Sequence, residues 1–347
     1  MSSAPGAQDV AATETDRTDD VRQGTSFWRY AGRKAGGALV SLAMVVVLGF
    51  FAFRILPGDP VLTLTRGKRV DAEQVAALRR EFGLDESLWN QFLIYLRNLS
   101  HGDLGDSYTF RRPVADLIYD HLGPTLLLTG VSAVLAIALG LWVGQKAAWR
   151  RESFFDRAST GTALVLWSVP TFWLGLLLLL IFGGTLQILP TAGMVTTGLD
   201  ATGIDYVVDV ARHLVLPVIT MVAVTYAQYV LVMRASLIEE MTSDYLVTAR
   251  AKGLREDLVR RRHAIPNALL PTVTLVFMHI GGLISGAVTV ETVFSWPGLG
   301  YLTFQALTGP DLPLLQGTFV VFSFIVIVMN FIADLLYRVL DPRVRAA

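Results

Sequence analysis

Side chains that could do bond chemistry are scattered along this 347-residue sequence and form no catalytic or metal-binding pattern. No two of the five histidines lie four residues apart, the spacing that would place them on one helix face as metal ligands. No Gly-x-Ser-x-Gly motif is present, and there is no cysteine to serve as a nucleophile or thiolate ligand. We therefore predict a chain that is not an enzyme and holds no cofactor or metal. A membrane enzyme is the least favoured class.

The sequence also lacks the features of a nucleotide-binding or nucleic-acid-binding protein. Gly67 and Lys68 lack the glycine five residues earlier and the following Ser or Thr that a phosphate-binding loop needs. The 29 Lys and Arg residues balance the 29 Asp and Glu residues, so the composition provides no basic surface for a nucleic acid. Neither ATP hydrolysis nor nucleic-acid binding is expected of this chain.

Three charged residues lie near the ends of long apolar stretches: Arg54, Glu291 and Asp334. A charge in hydrocarbon is costly, so such residues either reach the membrane interface or face a pathway. We expect Arg54 and Asp334 to reach the interface. Glu291 precedes the turn at Trp296, which makes both residues candidates for a pathway or gate near one membrane face. A position near the external mouth that does not face the pathway is the equal alternative for Glu291.

Composition explains which elements must carry these residues. The chain is 53% hydrophobic and only 17% charged, whereas soluble proteins carry about 25% charged residues. Six apolar stretches reach the length of about 20 residues that a helix needs to cross hydrocarbon. We place them at 36–56, 124–144, 161–182, 213–233, 272–294 and 315–337. The sequence thus predicts an all-α integral membrane protein with six transmembrane helices.

Basic residues predict the orientation of these spans. Of the 29 Lys and Arg residues, 19 lie in the amino-terminal segment, loops 145–160 and 234–271, and the carboxyl tail, against 9 in the alternate segments. The positive-inside rule then places both termini in the cytoplasm, in a plasma (inner) membrane. Residues 1–28 are polar and are predicted to form a disordered tail before a transmembrane domain at 29–347. The first span is expected to be retained, since 35 polar residues precede it.

Two loops are too long to be simple connections. The external segment 57–123 shows its own helical pattern, with a capping box at Asp71 and Gln74, and could either meet a soluble partner or pack over the helix ends. In the cytoplasmic loop 234–271, Asp244 is predicted to cap a short helix that Gly253 ends. Docking of a partner protein and contact with membrane lipid are equally compatible with this basic hairpin.

Particular strings in that loop resemble a known family. YLVTARAKGL from Tyr245 and RRRHAIPNALLP through Pro271 are similar to the conserved cytoplasmic loop of ABC-importer permeases of the dipeptide and oligopeptide (peptide/nickel) branch. The resemblance covers about residues 29–345. Five further landmarks of that branch follow in the expected order: ILPGDP at 55–60, HGDLGDS at 101–107, LPTAG at 189–193, RHLVLP at 212–217 and VETVFSWPGLG at 290–300.

The resemblance implies a type I ABC-importer transmembrane fold in which this loop forms a coupling helix that rests on an ATPase subunit. It assigns that role to Asp244, Tyr245, Ala249, Arg250, Ala251 and Gly253. One departure is visible, because Val247, Thr248 and Ala249 stand where the general importer motif has Glu, Ala and Ala. The implied partners are a second homologous permease, two ATPase subunits and an external substrate-binding protein, with ATP hydrolysis on the ATPases.

The implied activity is uptake of di- and oligopeptides into the cytoplasm. Related permeases serve nickel, glutathione, opines or haem-type compounds, so another small solute remains an alternative. An ion-coupled secondary transporter is less favoured, since the sequence shows no inverted repeat and only one candidate acid, near the outer end.

Overall fold

The computed structural model describes residues 7–55, 61, 71–81, 84–198, 202–309 and 311–340. The ILPGDP landmark beyond Ile55 and the Gly67–Lys68 pair lie outside these ranges. Within them the chain is helical and forms no β-strand, only an isolated bridge between Asp106 and Pro113. The prediction of an all-α chain is therefore confirmed for the described residues.

Twelve α-helices and two π-helical turns are formed by the described part of the chain. The α-helices are α1 (Ala7–Ile55), α2 (Ala72–Glu81), α3 (Leu88–Ser100), α4 (Val114–Trp149), α5 (Phe154–Ser168), α6 (Thr171–Leu178), α7 (Ile204–Glu240), α8 (Asp244–Ala251), α9 (Glu256–Leu258), α10 (Ile265–Val293), α11 (Leu299–Thr308) and α12 (Leu312–Leu340). The turns are π1 (Leu179–Thr185), which extends α6, and π2 (Val259–Ala264), which leads into α10.

Four of these helices are long and apolar enough to cross a membrane, namely α1 from Phe27, α4, α7 and α12. They contain the predicted spans 124–144, 213–233 and 315–337, and α1 contains the predicted span 36–56 as far as Ile55. The predicted span 272–294 falls in α10, which ends at Val293.

The predicted span 161–182 is not one straight helix. The pair formed by α5 and by α6 with π1 is bent by 101°. Pro170 explains the break, because proline disfavours helical geometry at the preceding residue, and Val169 is extended with φ −80° and ψ 129°. A bent pair of this kind is either a broken span or a re-entrant loop.

The amino-terminal segment also differs from prediction. A disordered tail was expected over residues 1–28, but α1 already begins at Ala7. Because the segment has few apolar side chains, it can bury little surface against the rest of the protein. That does not prevent a helix, and this segment is rich in Ala with Glu, Gln and Arg and has no proline after Pro5.

Among the described helices, α4 and α7 pack closely against each other. Gly140 and Gly144, one turn apart on α4, leave room for the α7 backbone: an added Cβ would lie 2.5 Å from Tyr229 Cβ and 2.8 Å from the Val230 carbonyl oxygen, respectively. Small residues at this spacing let membrane helices pack backbone to backbone. This contact forms the centre of the fold.

Gly144→Val is therefore expected to destabilise the chain. Overpacking of a tight contact typically costs about 1–3 kcal/mol, and here the obstacle is largely backbone that cannot rotate away. The melting temperature of the purified chain should fall. Gly130→Val is the matched control on the same helix, because nothing lies within 4 Å of a Cβ at Gly130. Equal melting temperatures for the two variants would contradict the packing argument.

Candidate functional site

The predicted coupling loop folds into a knob that is fixed to the ends of the long helices. Leu246 and Ala249 on α8 are buried. They belong to one apolar cluster with residues from α4, α7, π2 and α10: Ala148, Met233, Leu237, Val259, Ala264 and Ala268. A displacement of α8 would therefore be transmitted directly to α4, α7 and α10.

The opposite face of α8 is open. Tyr245 is 38% exposed and Val247 58% exposed, and Asp244, Ala251 and Gly253 are exposed as well. Of the two small residues expected to allow close approach of a partner, Ala251 lies on this open face, whereas Ala249 faces the chain's own core. A one-sided short helix of this kind can receive a partner surface without disturbing its own attachment.

The two ends of α8 are built differently from each other. Gly253 has φ +78°, its N–H donates to the Arg250 carbonyl (2.9 Å), and the Leu254 N–H donates to the Ala249 carbonyl (3.3 Å). This is a Schellman motif, as expected for a glycine stop. The predicted cap at the other end is wrong. Ser243 is the N-cap and Asp244 is the first helical residue, where its charge complements the helix dipole.

A hydrogen-bond network ties Tyr245 to both neighbouring helices. Its hydroxyl donates to the carboxylate of Glu240 on α7. The Asn267 side-chain amide on α10 donates to the Tyr245 hydroxyl (2.9 Å) and to the His263 carbonyl (3.1 Å). Burial and the nearby carboxylate raise the pKa of Tyr245, so the phenol remains a neutral donor at physiological pH.

Tyr245→Phe is expected to loosen this attachment modestly. One hydroxyl at an exposed site contributes roughly 0.5–1.5 kcal/mol, so the chain should still fold. If α8 is the coupling helix that the resemblance implies, uptake per ATP hydrolysed should fall by a few fold. Tyr119→Phe, at a tyrosine that is 81% exposed, should leave both stability and uptake unchanged. An unchanged ratio of uptake to hydrolysis in Tyr245→Phe would show that the network does not contribute to coupling.

Two ion pairs brace the same region. Arg250 Nε lies 2.8 Å from Glu256 Oε1 and joins α8 to α9. Asp156 on α5 is buried and accepts two hydrogen bonds from Arg234 on α7, at 2.6 and 2.9 Å. Sequence reasoning missed the second pair. Its local signal was the Ser153-x-x-Asp156 cap, in which the Asp156 N–H donates to Ser153 Oγ, but the partner lies 78 residues away.

Glu291, the candidate pathway acid, is fully buried among donors. The Thr125 hydroxyl donates to Oε1 (2.7 Å), and the Gly300 and Tyr301 N–H groups donate to Oε2 at 2.7 and 3.1 Å. These two N–H groups belong to the first turn of α11, where an anion is stabilised by the helix dipole. Leu299 N–H donates in turn to Thr125 Oγ1 (2.8 Å). In this conformation the carboxylate is an internal helix cap.

Trp296 and its flanking glycines complete this closed cluster. The Trp296 side chain is fully buried and its Nε1–H donates to the Pro124 carbonyl on α4 (2.9 Å). Gly298 and Gly300 have to be glycines because neighbouring atoms leave no room for a Cβ. An added Cβ at Gly298 would lie 2.3 Å from Glu291 Oε1, and one at Gly300 2.5 Å from Val288 Cα. The landmark VETVFSWPGLG thus encodes a tight junction of α4, α10 and α11.

A second buried acid, Asp311, joins the predicted external segment to α12. It accepts hydrogen bonds from the Ser107 hydroxyl (2.6 Å), the Thr109 N–H (2.9 Å) and the Leu314 N–H (3.2 Å). The HGDLGDS landmark therefore ends in Ser107, whose hydrogen-bond partner lies 204 residues further along the chain. Sequence reasoning assigned no role to Asp311.

The two charges expected at the interface have defined partners. Asp334 on α12 pairs with Lys34 on α1 at 2.8 Å, and both side chains are partly exposed. The Arg54 guanidinium lies 5.5 Å from the centre of the Phe50 ring. Partial exposure of the pair is consistent with an interfacial position.

Comparison with known proteins identifies the family. Residues 136–346 match the family described as binding-protein-dependent transport system inner membrane component. Residues 27–129 match the amino-terminal family of the same membrane component. The chain belongs to this family. The permease family's amino-terminal match ends just beyond Thr125, and its main match contains Glu291, so the buried cluster joins the two regions.

Curated relatives align with about nine tenths of the chain. The chain is 35% identical over 330 residues to the dipeptide transport system permease protein of Escherichia coli K12, covering 90% of this chain and 97% of that protein. It is 37% identical over 316 residues to the glutathione transport system permease protein of Escherichia coli O6:H1, covering 91% and 98%. It is 34% identical over 330 residues to the dipeptide permease of Alkalihalophilus pseudofirmus, covering 91% and 99%.

One solved structure supports the fold. The inward-facing MetNI methionine ABC transporter matches with a TM-score of 0.50 and 17% identity, over 65% of this chain and 96% of that chain. The permease family membership makes this chain a multi-pass component of an inner membrane, and it implies an ATPase and a substrate-binding protein as partners.

Proposed function

We propose that this chain is the permease subunit of an ATP-driven importer that moves di- and oligopeptides into the cytoplasm. One observation carries the proposal: two relatives named for dipeptide transport and one named for glutathione transport align over nearly their whole length. Glutathione is itself a tripeptide, so the two names share a peptide cargo. Nickel and haem-type compounds are the alternatives within the family.

The proposed topology has six transmembrane helices with both termini in the cytoplasm. Four long helices, the bent pair and α10 supply the six crossings. The excess of Lys and Arg in loops 145–160 and 234–271 supports a cytoplasmic position for the knob that carries α8. Segment 57–123 then lies outside, where the binding protein would deliver cargo.

ATP hydrolysis is assigned to two partner ATPase subunits, and the pathway to this chain together with a second homologous permease. In this proposal the open face of α8, with Asp244, Tyr245, Ala251 and Gly253, rests on an ATPase. Closure of the ATPases then displaces α8, and the buried Leu246 transmits the displacement to the helix ends. Arg250 keeps α8 and α9 moving as one unit through its pair with Glu256.

For Glu291 and Trp296 we propose a structural role in place of the pathway or gate role for which the sequence makes them candidates. Their cluster holds α4, α10 and α11 together near the predicted external mouth. We infer that it forms a stiff unit that moves as a whole when the pathway opens, rather than a cargo-binding acid. Glu291 would then affect transport by its effect on assembly.

A reconstitution experiment tests the cargo. The chain is combined with its second permease, ATPases and binding protein in proteoliposomes, and uptake of a labelled dipeptide is measured with and without internal ATP. We expect ATP-dependent uptake that excess unlabelled dipeptide or tripeptide abolishes and nickel does not. Uptake without ATPase subunits would contradict the ABC mechanism. ATP-dependent uptake of nickel or haem but not of peptides would contradict the cargo alone.

A further inference from the structure

A basic groove of about 360 Å³ lies where the end of α4 meets π2. Four cationic side chains and two indole rings contribute to its lining: Lys146, Arg150, Arg260, Arg261, Trp142 and Trp149. Among the described residues that line it, none is acidic. Neither the coupling face of α8 nor the Glu291 cluster uses this groove.

Two of the four cations in the groove, Lys146 and Arg260, lie against aromatic rings. Lys146 Nζ lies 4.9 Å from the centre of the Trp142 ring and 4.6 Å from that of Phe155. The Arg260 guanidinium lies 5.7 Å from the centre of the Trp149 ring. Within the described ranges, no ion pair joins any of the four cations to an acid. The positive charge of the groove is therefore not neutralised by the chain's own acidic groups.

One polar atom at the groove lacks an acceptor. Arg260 Nε is buried and has no hydrogen-bond partner in the described part of the chain. Buried donors are nearly always satisfied, so this donor, which lies beside three further cations, is suitably placed to donate to an anionic acceptor. A phosphate group, with several oxygens and a negative charge, fits this arrangement.

The surface next to the groove is apolar. Val134, Leu135, Leu139 and Trp142 form an exposed stripe on α4 that runs from the groove back along the predicted span. A free phosphate would use only the groove, whereas a phospholipid would use both surfaces, with its phosphate in the groove and an acyl chain along the stripe. The adjoining stripe favours the lipid.

We propose that this groove binds the phosphate headgroup of an anionic phospholipid of the cytoplasmic leaflet. The proposal rests on the proposed orientation, which places Lys146 just beyond the cytoplasmic end of the span 124–144, and does not depend on the cargo. The cytoplasmic leaflet is anionic, and basic pockets between helices on that side suit such headgroups. Indole rings prefer the same interfacial depth.

The site has a consequence for coupling. Arg260 and Arg261 lie on π2, and Val259 and Ala264 of the same turn pack in the cluster that holds α8. A headgroup that contacts Lys146 and Arg260 together bridges α4 to π2. Bound lipid therefore stiffens the attachment of the coupling knob, and anionic membranes are expected to raise the uptake obtained per ATP hydrolysed.

Binding is tested on the purified full-length chain in neutral detergent. Dioctanoylphosphatidylglycerol, dioctanoylphosphatidylcholine and inorganic phosphate are titrated separately, and binding is followed by the rise in melting temperature. We expect the phosphatidylglycerol to bind and the phosphatidylcholine to have little effect. The double variant Lys146→Gln/Arg260→Gln should bind phosphatidylglycerol about thirtyfold more weakly, since each cation near an anionic group contributes roughly fivefold.

The control is Arg112→Gln/Arg255→Gln, which removes the same charge at two exposed, ion-paired positions outside the groove and should bind like the unchanged chain. If the double variant fails to fold, Arg261→Gln alone, at an exposed position, should still weaken binding by roughly fivefold. Equal affinity in groove and control variants would overturn the proposal. Binding of inorganic phosphate as tight as that of phosphatidylglycerol would overturn the lipid assignment. Protection of Lys146 from acylation by ATPase subunits, without lipid binding, would reassign the groove to a protein interface.

Discussion

Gly253→Val is expected to uncouple peptide uptake from ATP hydrolysis while leaving the chain folded in the membrane. Gly253 has φ +78°, and a β-branched residue in that left-handed conformation costs roughly 1–2 kcal/mol. The strain is relieved most easily by a change at the end of α8, which would alter the surface that we propose to meet an ATPase. Uptake should fall about tenfold, the change that 1.4 kcal/mol produces, while ATP hydrolysis by the reconstituted complex continues.

The matched control is Gly198→Val. Gly198 has φ +80° and nothing lies within 4 Å of an added Cβ, as at Gly253, but it lies in the loop between π1 and α7. The same backbone strain there should leave the ratio of uptake to hydrolysis unchanged. Equal loss of coupling in both variants would attribute the effect to general destabilisation, and normal uptake by Gly253→Val would remove α8 from the coupling mechanism.

Glu291→Leu is expected to prevent stable folding. The substitution leaves the buried N–H groups of Gly300 and Tyr301 without an acceptor, at about 1–3 kcal/mol each. It also removes the carboxyl group that caps the first turn of α11. Little monodisperse protein should be recovered, and its melting temperature should be lower than that of the unchanged chain.

Two variants make this prediction specific. Glu291→Gln keeps one acceptor oxygen and should give an intermediate melting temperature. Glu239→Leu, at an exposed position near the end of α7, should fold normally. If Glu291→Leu instead folded well and lost only transport, the buried-cap interpretation would be wrong and a direct role in the pathway would be favoured.

Local patterns in the sequence predicted much of the fold. Hydropathy located four long spanning helices because each crossing needs a continuous apolar run. The capping pattern at Asp71 was confirmed by the hydrogen bond from the Gln74 N–H to Asp71 Oδ1 (2.8 Å). The glycine stop at Gly253 was confirmed by its positive φ. These features depend on neighbours within a few residues, which the sequence displays directly.

Long-range pairings could not be predicted in the same way. Asp156 and Arg234 are 78 residues apart, Ser107 and Asp311 are 204 apart, and Thr125 and Glu291 are 166 apart. Nothing local marks these partners, because which helices meet is decided by close packing at positions such as Gly144. For the same reason, the sequence did not show that Ala249 faces the chain's own core and not a partner.

The sequence by itself determined that this is a membrane chain of the permease family, without a nucleotide-binding loop, and it singled out the segment that we propose to be the coupling segment. The tertiary structure decided what the polar residues do. Glu291 can be assigned to a pathway or to a cap only when the donors around it are known, and those donors come from helices distant in sequence. Burial, unlike hydropathy, is a property of the assembled helices.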